Sequence, residues 1–169
     1  MTIQEAFRTI VSIDFDGVLH SYAKGWQGST TIDDIPVKGA MTWLYTIVNS
    51  DEFDVYISSS RNSHPHAIEA MKVWLHTHLA DWLESKNVLS YREEATKLVN
   101  KITFATEKPP AALHIDDRAI QFKGTFPSAR DIKNFKPWRS GDRPQPVEIK
   151  PTIALPLDWR KNSSYRSDT

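Results

Sequence analysis

The sequence contains no cysteine. That absence removes disulfide frameworks, cysteine-ligated zinc, iron–sulfur clusters and a thiol nucleophile together. There is also no excess of charge of either sign, with 21 Lys and Arg against 21 Asp and Glu in 169 residues. Such a balance argues against a general nucleic-acid coat or a membrane-surface protein, although a local basic groove does not show in the sum. No apolar run approaches the roughly 18 residues of a membrane span. The opening residues, MTIQEAFRTI, lack the basic-then-apolar pattern of a signal peptide. These absences predict a soluble, cytoplasmic protein with no membrane partner. The length fits one domain with a short appendage, since domains run to about 100–200 residues. A core of that size folds without a staple.

Apolar patterning then places the elements. TIVSIDFD, residues 9–16, is a β-branched run suited to a strand buried on both faces, and it stops at Gly17. Residues 20–36, HSYAKGWQGSTTIDDIP, read as a long loop or small flap. Pro36 is placed to open a helix whose inward face carries Val37, Ala40, Met41, Leu44, Ile47 and Val48. FDVYIS, residues 53–58, is the next strand, and Pro65 opens a second helix with a stripe of Ile68, Met71, Trp74, Leu75, Leu79 and Trp82. A short helix over Glu93–Val99, a third strand in KITFAT, a fourth at 111–115 (AALHI), a short fifth in AIQFKGTF and a last helix over Ser128–Phe135 complete the reading. Strands alternating with helices predict an α/β Rossmann-like three-layer fold with a mainly parallel sheet. The body spans 1–138. From Arg139 four prolines and few apolar residues predict an extended, partly disordered tail over 139–169, with one apolar island, TIALPLDW at 152–159, able to dock on the body. There are no internal repeats.

In such sheets ligands bind beyond the carboxyl ends of the strands, and each strand end here carries polar residues. Strand one ends in Asp14-Phe15-Asp16-Gly17, strand two in Ser58-Ser59-Ser60-Arg61, and strand four in Asp116-Asp117-Arg118, with Lys108 before it. Four converging carboxylates repel unless some are protonated or a cation joins them. Mg²⁺ suits a few carboxylate oxygens with water and a phosphate oxygen. A serine hydroxyl and Lys108 then suit the remaining phosphate oxygens. One free carboxylate can attack phosphorus to form an aspartyl-phosphate. A second can protonate the leaving group and later activate water. Asp14 and Asp16 fit this pair, because side chains two apart on a strand point the same way. Gly17 permits the tight turn that brings backbone N–H groups near a phosphate.

That order of motifs resembles the haloacid dehalogenase-like (HAD) phosphohydrolase superfamily, through IDFDGVL, YISSSR, Lys108 and LHIDDR. The chain looks like the small HAD-like proteins of phages and bacteria, and its SSR and IDDR pieces are similar to the phosphatase half of phage polynucleotide kinases. The resemblance covers roughly residues 9–138. It implies that Asp14 is the nucleophile and a Mg²⁺ ligand. Asp16 would be the general acid and base, with its backbone carbonyl on the metal. Ser59 would hold the phosphoryl group and Lys108 would neutralise it, while Asp116 and Asp117 would complete the metal site. Ser58 or Ser60 can replace Ser59, and Lys101 can replace Lys108; the kinase-phosphatase spacing to Arg61 favours Ser59, and nearness to strand four favours Lys108.

The cap is minimal, about 20 residues between Gly17 and the first helix, so the site is expected to be open. Tyr22 and Trp26 offer ring faces to a substrate, or else Trp26 anchors the flap. Arg61 and Arg118 either clamp a second phosphate or pair with the carboxylates; substrate contact is expected of Arg61 and a structural pair of Arg118. His114 is expected in the core. The expected substrate is a phosphorylated small molecule or nucleotide, or a nucleic-acid end. The alternatives are a non-catalytic HAD-fold binding module and a receiver-like phosphoacceptor domain, whose motif order differs. The oligomeric state is not legible.

Overall fold

A computed structural model of the chain describes residues 8–137, which fall into two compact units, 8–117 and 118–137. The expected tail at 139–169, its island at 152–159 and the end of the body at 138 lie outside the described residues.

The first unit is built on a four-stranded, all-parallel sheet of order β3-β2-β1-β4. Its strands are β1 (Thr9–Ile13), β2 (Phe53–Ile57), β3 (Thr103–Phe104) and β4 (Leu113–Ile115). Between them run α1 (Ala40–Val48), a 3₁₀ turn (Ser60–Ser63), α2 (Ala67–Ser85) and α3 (Tyr91–Asn100). This is a small α/β, Rossmann-like three-layer fold, as the alternation of patterns predicts. β1 is central because its Val11, Ser12 and Ile13 are all buried between two neighbours. The long α2 buries Ala67, Met71, Trp74, Leu75, Leu79 and Leu83, a helical repeat facing one way. Trp82 packs beside Tyr45 of α1, with ring centroids 5.2 Å apart.

Both helix starts are corrected. α1 begins at Ala40, after Gly39 at φ +86°, and not at Pro36. Pro36 instead bridges His20 in an antiparallel contact, flanked by Ser21 N–H to Ile35 O and Val37 N–H to Leu19 O. The flanking residues make the bonds, so the proline loses nothing by lacking a donor. α2 begins at Ala67, two residues past Pro65, after His66 at φ +59°. β3 and β4 are shorter than expected, and His114 is exposed on β4 instead of lying in the core.

In the second unit, α4 (Ala129–Asn134) starts in a capping box: Asp131 N–H donates to Ser128 Oγ at 3.1 Å, and Ser128 N–H donates back to Asp131 Oδ2 at 3.0 Å. The segment expected to hold a fifth strand carries no strand among the described residues; Phe122 and Phe126 meet in it with tilted rings, centroids 5.0 Å apart. No helix among the described residues is long and apolar enough to cross a membrane.

One buried side chain ties the strand ends together. Asn62 Nδ2 donates to Ile57 O at 2.9 Å and to Ala105 O at 2.6 Å, joining the end of β2 to the chain leaving β3. Asn62→Ala removes both bonds and is expected to cost about 1–2 kcal/mol. The check is a lower urea midpoint at unchanged slope.

Candidate functional site

Sheet register sets the site. Ile13 pairs with Ile57 and Ile115, and Ile57 pairs with Phe104, so all four strands end at one level. The next residues are Asp14, Ser58, Ala105 and Asp116. Their N–H groups continue the ladder where it can: Asp14 to Ile115 O at 2.8 Å, Ser58 to Ile13 O at 2.9 Å and Ala105 to Ile57 O at 2.9 Å. The strand order doubles back at β1, which makes this edge the expected place for a ligand.

Asp14, Asp116 and Asp117 meet there, each with a carboxylate oxygen within 4.8 Å of the others. Burial pushes the Asp14 carboxyl up to about 7 from an ordinary 3.8; the Phe15 N–H opposes this, and the charges of Asp116, Asp117 and Asp16 reinforce it. The Phe15 N–H lies 2.7 Å from Asp14 Oδ1. Gly17, at φ +92°, leaves the space that Asp117 fills: a Cβ there would stand 2.5 Å from Asp117 Oδ2. The sequence singles out this glycine for its turn, but the room it gives a carboxylate comes only from the fold.

The expected set of four carboxylates is corrected to three, because the Asp16 side chain goes elsewhere. The chain leaves β1 at Ile13 and turns back, so the two-residue strand rule no longer aims Asp14 and Asp16 together. Asp16 Oδ1 faces His20 Nδ1 at 2.8 Å, and Asp16 Oδ2 accepts from Arg61 Nε at 2.7 Å. Burial would raise its pKa, but the bonds from His20 and Arg61 outweigh that and hold it below the usual carboxylate value. Two neighbouring carboxylates are thus driven in opposite directions, a pattern that separates the roles of a pair.

Arg61 is corrected too. It is 0 % exposed, not a surface clamp for a second phosphate. Its Nη1 donates to Gly28 O at 2.7 Å and Ser29 O at 2.9 Å in the flap. Trp26 lies over the guanidinium, 4.7 Å from ring centroid to Cζ, and near His64 at 5.9 Å. Trp26 therefore anchors the flap while remaining half exposed. Tyr22 stands edge-on to His20 at 6.1 Å.

Ser59 is partly buried in extended conformation and caps the 3₁₀ turn, its Oγ accepting from Arg61 N–H at 3.3 Å. Ser58 is partly buried and Ser60 exposed. Lys108 is exposed in the loop between β3 and β4. The alternative lysine, Lys101, is excluded by position: it follows α3, bonds Asn49 Oδ1 at 2.8 Å and shares a cavity with Arg8 and Phe53, at the amino ends of the strands. Arg118 is exposed and opens the second unit. Sequence reasoning misses His20, buried in a stretch that reads as loop, and Asp34, whose carbonyl accepts from Trp74 Nε1 at 2.9 Å. The one available signal is the histidine directly after the apolar Val18-Leu19 pair.

No protein-family model, curated protein or solved structure matches the chain. The chemistry is therefore carried by the geometry: a trio of hard oxygen donors beside a fourth, separately held carboxylate.

Two outcomes follow from this arrangement. Gly17→Ala forces a side chain into left-handed backbone and against Asp117, and is expected to cost about 1–3 kcal/mol from the backbone alone. Thermal unfolding reads that loss, and Mn²⁺ titration is expected to show weaker binding at the trio. The second concerns pH. The folded state keeps the Asp14 proton to about 7, whereas the unfolded chain releases it near 3.8. Between these values the folded state binds more protons, so Asp14 contributes stability below pH 3.8 that is lost as pH rises through about 7. Without divalent cations, wild type is expected to lose stability relative to Asp14→Asn over that window; parallel melting profiles for the two proteins would contradict it.

Proposed function

We propose that the protein is a Mg²⁺-dependent phosphomonoester hydrolase of the HAD-like type, working in the cytoplasm through an aspartyl-phosphate on Asp14. The observation that carries the reading is the convergence of Asp14, Asp116 and Asp117 within 4.8 Å at the carboxyl edge of a parallel sheet. Hard carboxylate oxygens in that number suit Mg²⁺, and Gly17 leaves the Asp117 carboxylate its room. The three side chains, with the Asp16 backbone carbonyl, would hold the ion. Bound there, Mg²⁺ supplies the positive charge that favours ionised Asp14 and neutralises phosphoryl oxygens.

The chain's own residues then divide the work. An ionised Asp14 oxygen attacks phosphorus and the ester P–O bond breaks. Asp16, ionised at rest by His20 and Arg61, takes a proton from solvent as the substrate binds and gives that proton to the departing oxygen. In the second half, Asp16 takes a proton from water, whose oxygen attacks the same phosphorus; inorganic phosphate leaves and Asp14 is regenerated. Ser59 donates its hydroxyl hydrogen to a phosphoryl oxygen, and Lys108 brings charge from the exposed loop between β3 and β4. The bonds that keep Asp16 ionised favour its base half.

The substrate class is read from the flap. Trp26 is half exposed beside His64, and a flap this small leaves the rest of the substrate outside the site. An aromatic face suits a base, where stacking is worth about 1–3 kcal/mol. Nucleotides and phosphorylated nucleic-acid ends fit better than small sugar phosphates.

The test is phosphate release from nucleoside monophosphates, 3′- and 5′-phosphorylated oligonucleotides and sugar phosphates, with Mg²⁺ and with chelator. Wild type is expected to release phosphate only with the metal, and Asp14→Asn to fall to the rate of buffer. A wild-type rate in Asp14→Asn overturns the nucleophile, and no release from any ester overturns the reading.

A further inference from the structure

We infer that His20 is a positioning residue for Asp16, locking the rotation of its carboxyl so that one oxygen is presented along the path of proton transfer. The inference rests on the hydrolase reading above and adds to it a residue that the motifs do not contain.

His20 is folded back onto the end of β1 by the turn at Gly17. Gly17 N–H donates to His20 O at 2.7 Å, and His20 N–H donates to Phe15 O at 2.9 Å. The ring is 2 % exposed and is held from several sides. Phe15 stacks on it at 5.6 Å, while Trp74 at 5.5 Å and Tyr22 at 6.1 Å meet it edge-on. Its Nδ1 lies 2.8 Å from Asp16 Oδ1. On the far side, Nε2 stands 3.9 Å from Asp34 Oδ2, beyond hydrogen-bond reach, and has no hydrogen-bond partner among the described residues.

This distribution of contacts separates two explanations. A ring required only to fill the space between Phe15 and Trp74 has no need of nitrogen, and burying an unsatisfied nitrogen costs free energy. Among the described residues the ring's single hydrogen bond is to Asp16. A carboxyl held at one oxygen can still swing about its Cβ–Cγ bond. Asp16 is held at both, Oδ2 by Arg61 and Oδ1 by His20. The histidine is therefore the second of two fixed points. Because a carboxylate only accepts, the bond places a proton on Nδ1.

The experiment compares His20→Asn with His20→Gln. The asparagine amide nitrogen occupies the place of Nδ1, while the glutamine amide reaches towards that of Nε2. Both are measured on p-nitrophenyl phosphate, whose leaving group needs little protonation, and on a nucleoside 5′-monophosphate, whose alkoxide needs it fully. General acid catalysis is worth about 10²–10⁴-fold. His20→Gln is expected to lose about 10–100-fold in kcat on the nucleotide and less than about 3-fold on the aryl ester, with His20→Asn recovering most of the difference. In an Asp16→Asn background the glutamine change is expected to add no further loss, because a positioning residue acts only through its partner. Equal losses on both esters, no recovery by asparagine, or full additivity with Asp16→Asn each overturns the inference while leaving the hydrolase reading intact. Failure of wild type to hydrolyse either ester with Mg²⁺ overturns both. A second readout needs neither turnover nor a histidine variant: the Nδ1 proton of His20, observed by NMR, is expected downfield in wild type and to move upfield in Asp16→Asn. An unmoved resonance overturns the positioning role.

Discussion

Arg61 has no exposed surface, yet its guanidinium reaches two separate stretches of chain while its backbone holds a third group, the Ser59 hydroxyl. Nε meets Asp16 beyond β1, Nη1 meets two flap carbonyls, and its own backbone N–H meets Ser59 beyond β2. Burying a charge is tolerable only when it is paired and hydrogen-bonded, and removing one partner of such a pair costs about 3–5 kcal/mol. The flap, the serine turn and the Asp16 carboxylate are therefore fixed together or not at all. Trp26 covers the outer side of this link. The trio of Asp14, Asp116 and Asp117 is organised differently, by sheet register, and stands next to Arg61's network without belonging to it.

Those two modes of organisation explain what could be read from the residues. The sheet was legible because β-branched runs at 9–13 and 53–57 have few alternatives, and the stripe from Met71 to Leu83 fits only a helix. Once the strands are parallel, the rule of carboxyl ends brings Asp14, Asp116 and Asp117 to one edge, with no further information needed. The helix start expected at Pro36 is displaced because Pro36 pairs with His20, a contact 16 positions away that local propensity does not contain. The fates of Asp16 and Arg61 are illegible for a like reason: Arg61 meets Asp16 across 45 positions and Gly28 of the flap across 33. Short β3 and β4 carry too few residues to declare their ends.

The electrostatics of the site have one source of contrast. Asp14 and Asp16 share the same sequence neighbourhood and differ in what faces them: burial and like charges for the first, an imidazole and a guanidinium for the second. Two identical side chains acquire unlike proton affinities without any change of residue type. In the proposed hydrolase this division assigns attack to one and proton traffic to the other.

The stem of the flap carries a consequence for how such a molecule can change over time. Leu19–Ser21 and Ile35–Val37 pair directly, so the loop leaves and re-enters the body at neighbouring points. Extra chain inserted within it alters no distance in the sheet, and each doubling of loop length costs only about 0.6 kcal/mol of closure entropy. Trp26, Gly28 and Ser29 are committed to Arg61, but a side chain at Gly25 would meet nothing within 4 Å. That point is a natural graft site: a larger covering domain could be acquired there in one step, with the carboxylates beneath it undisturbed.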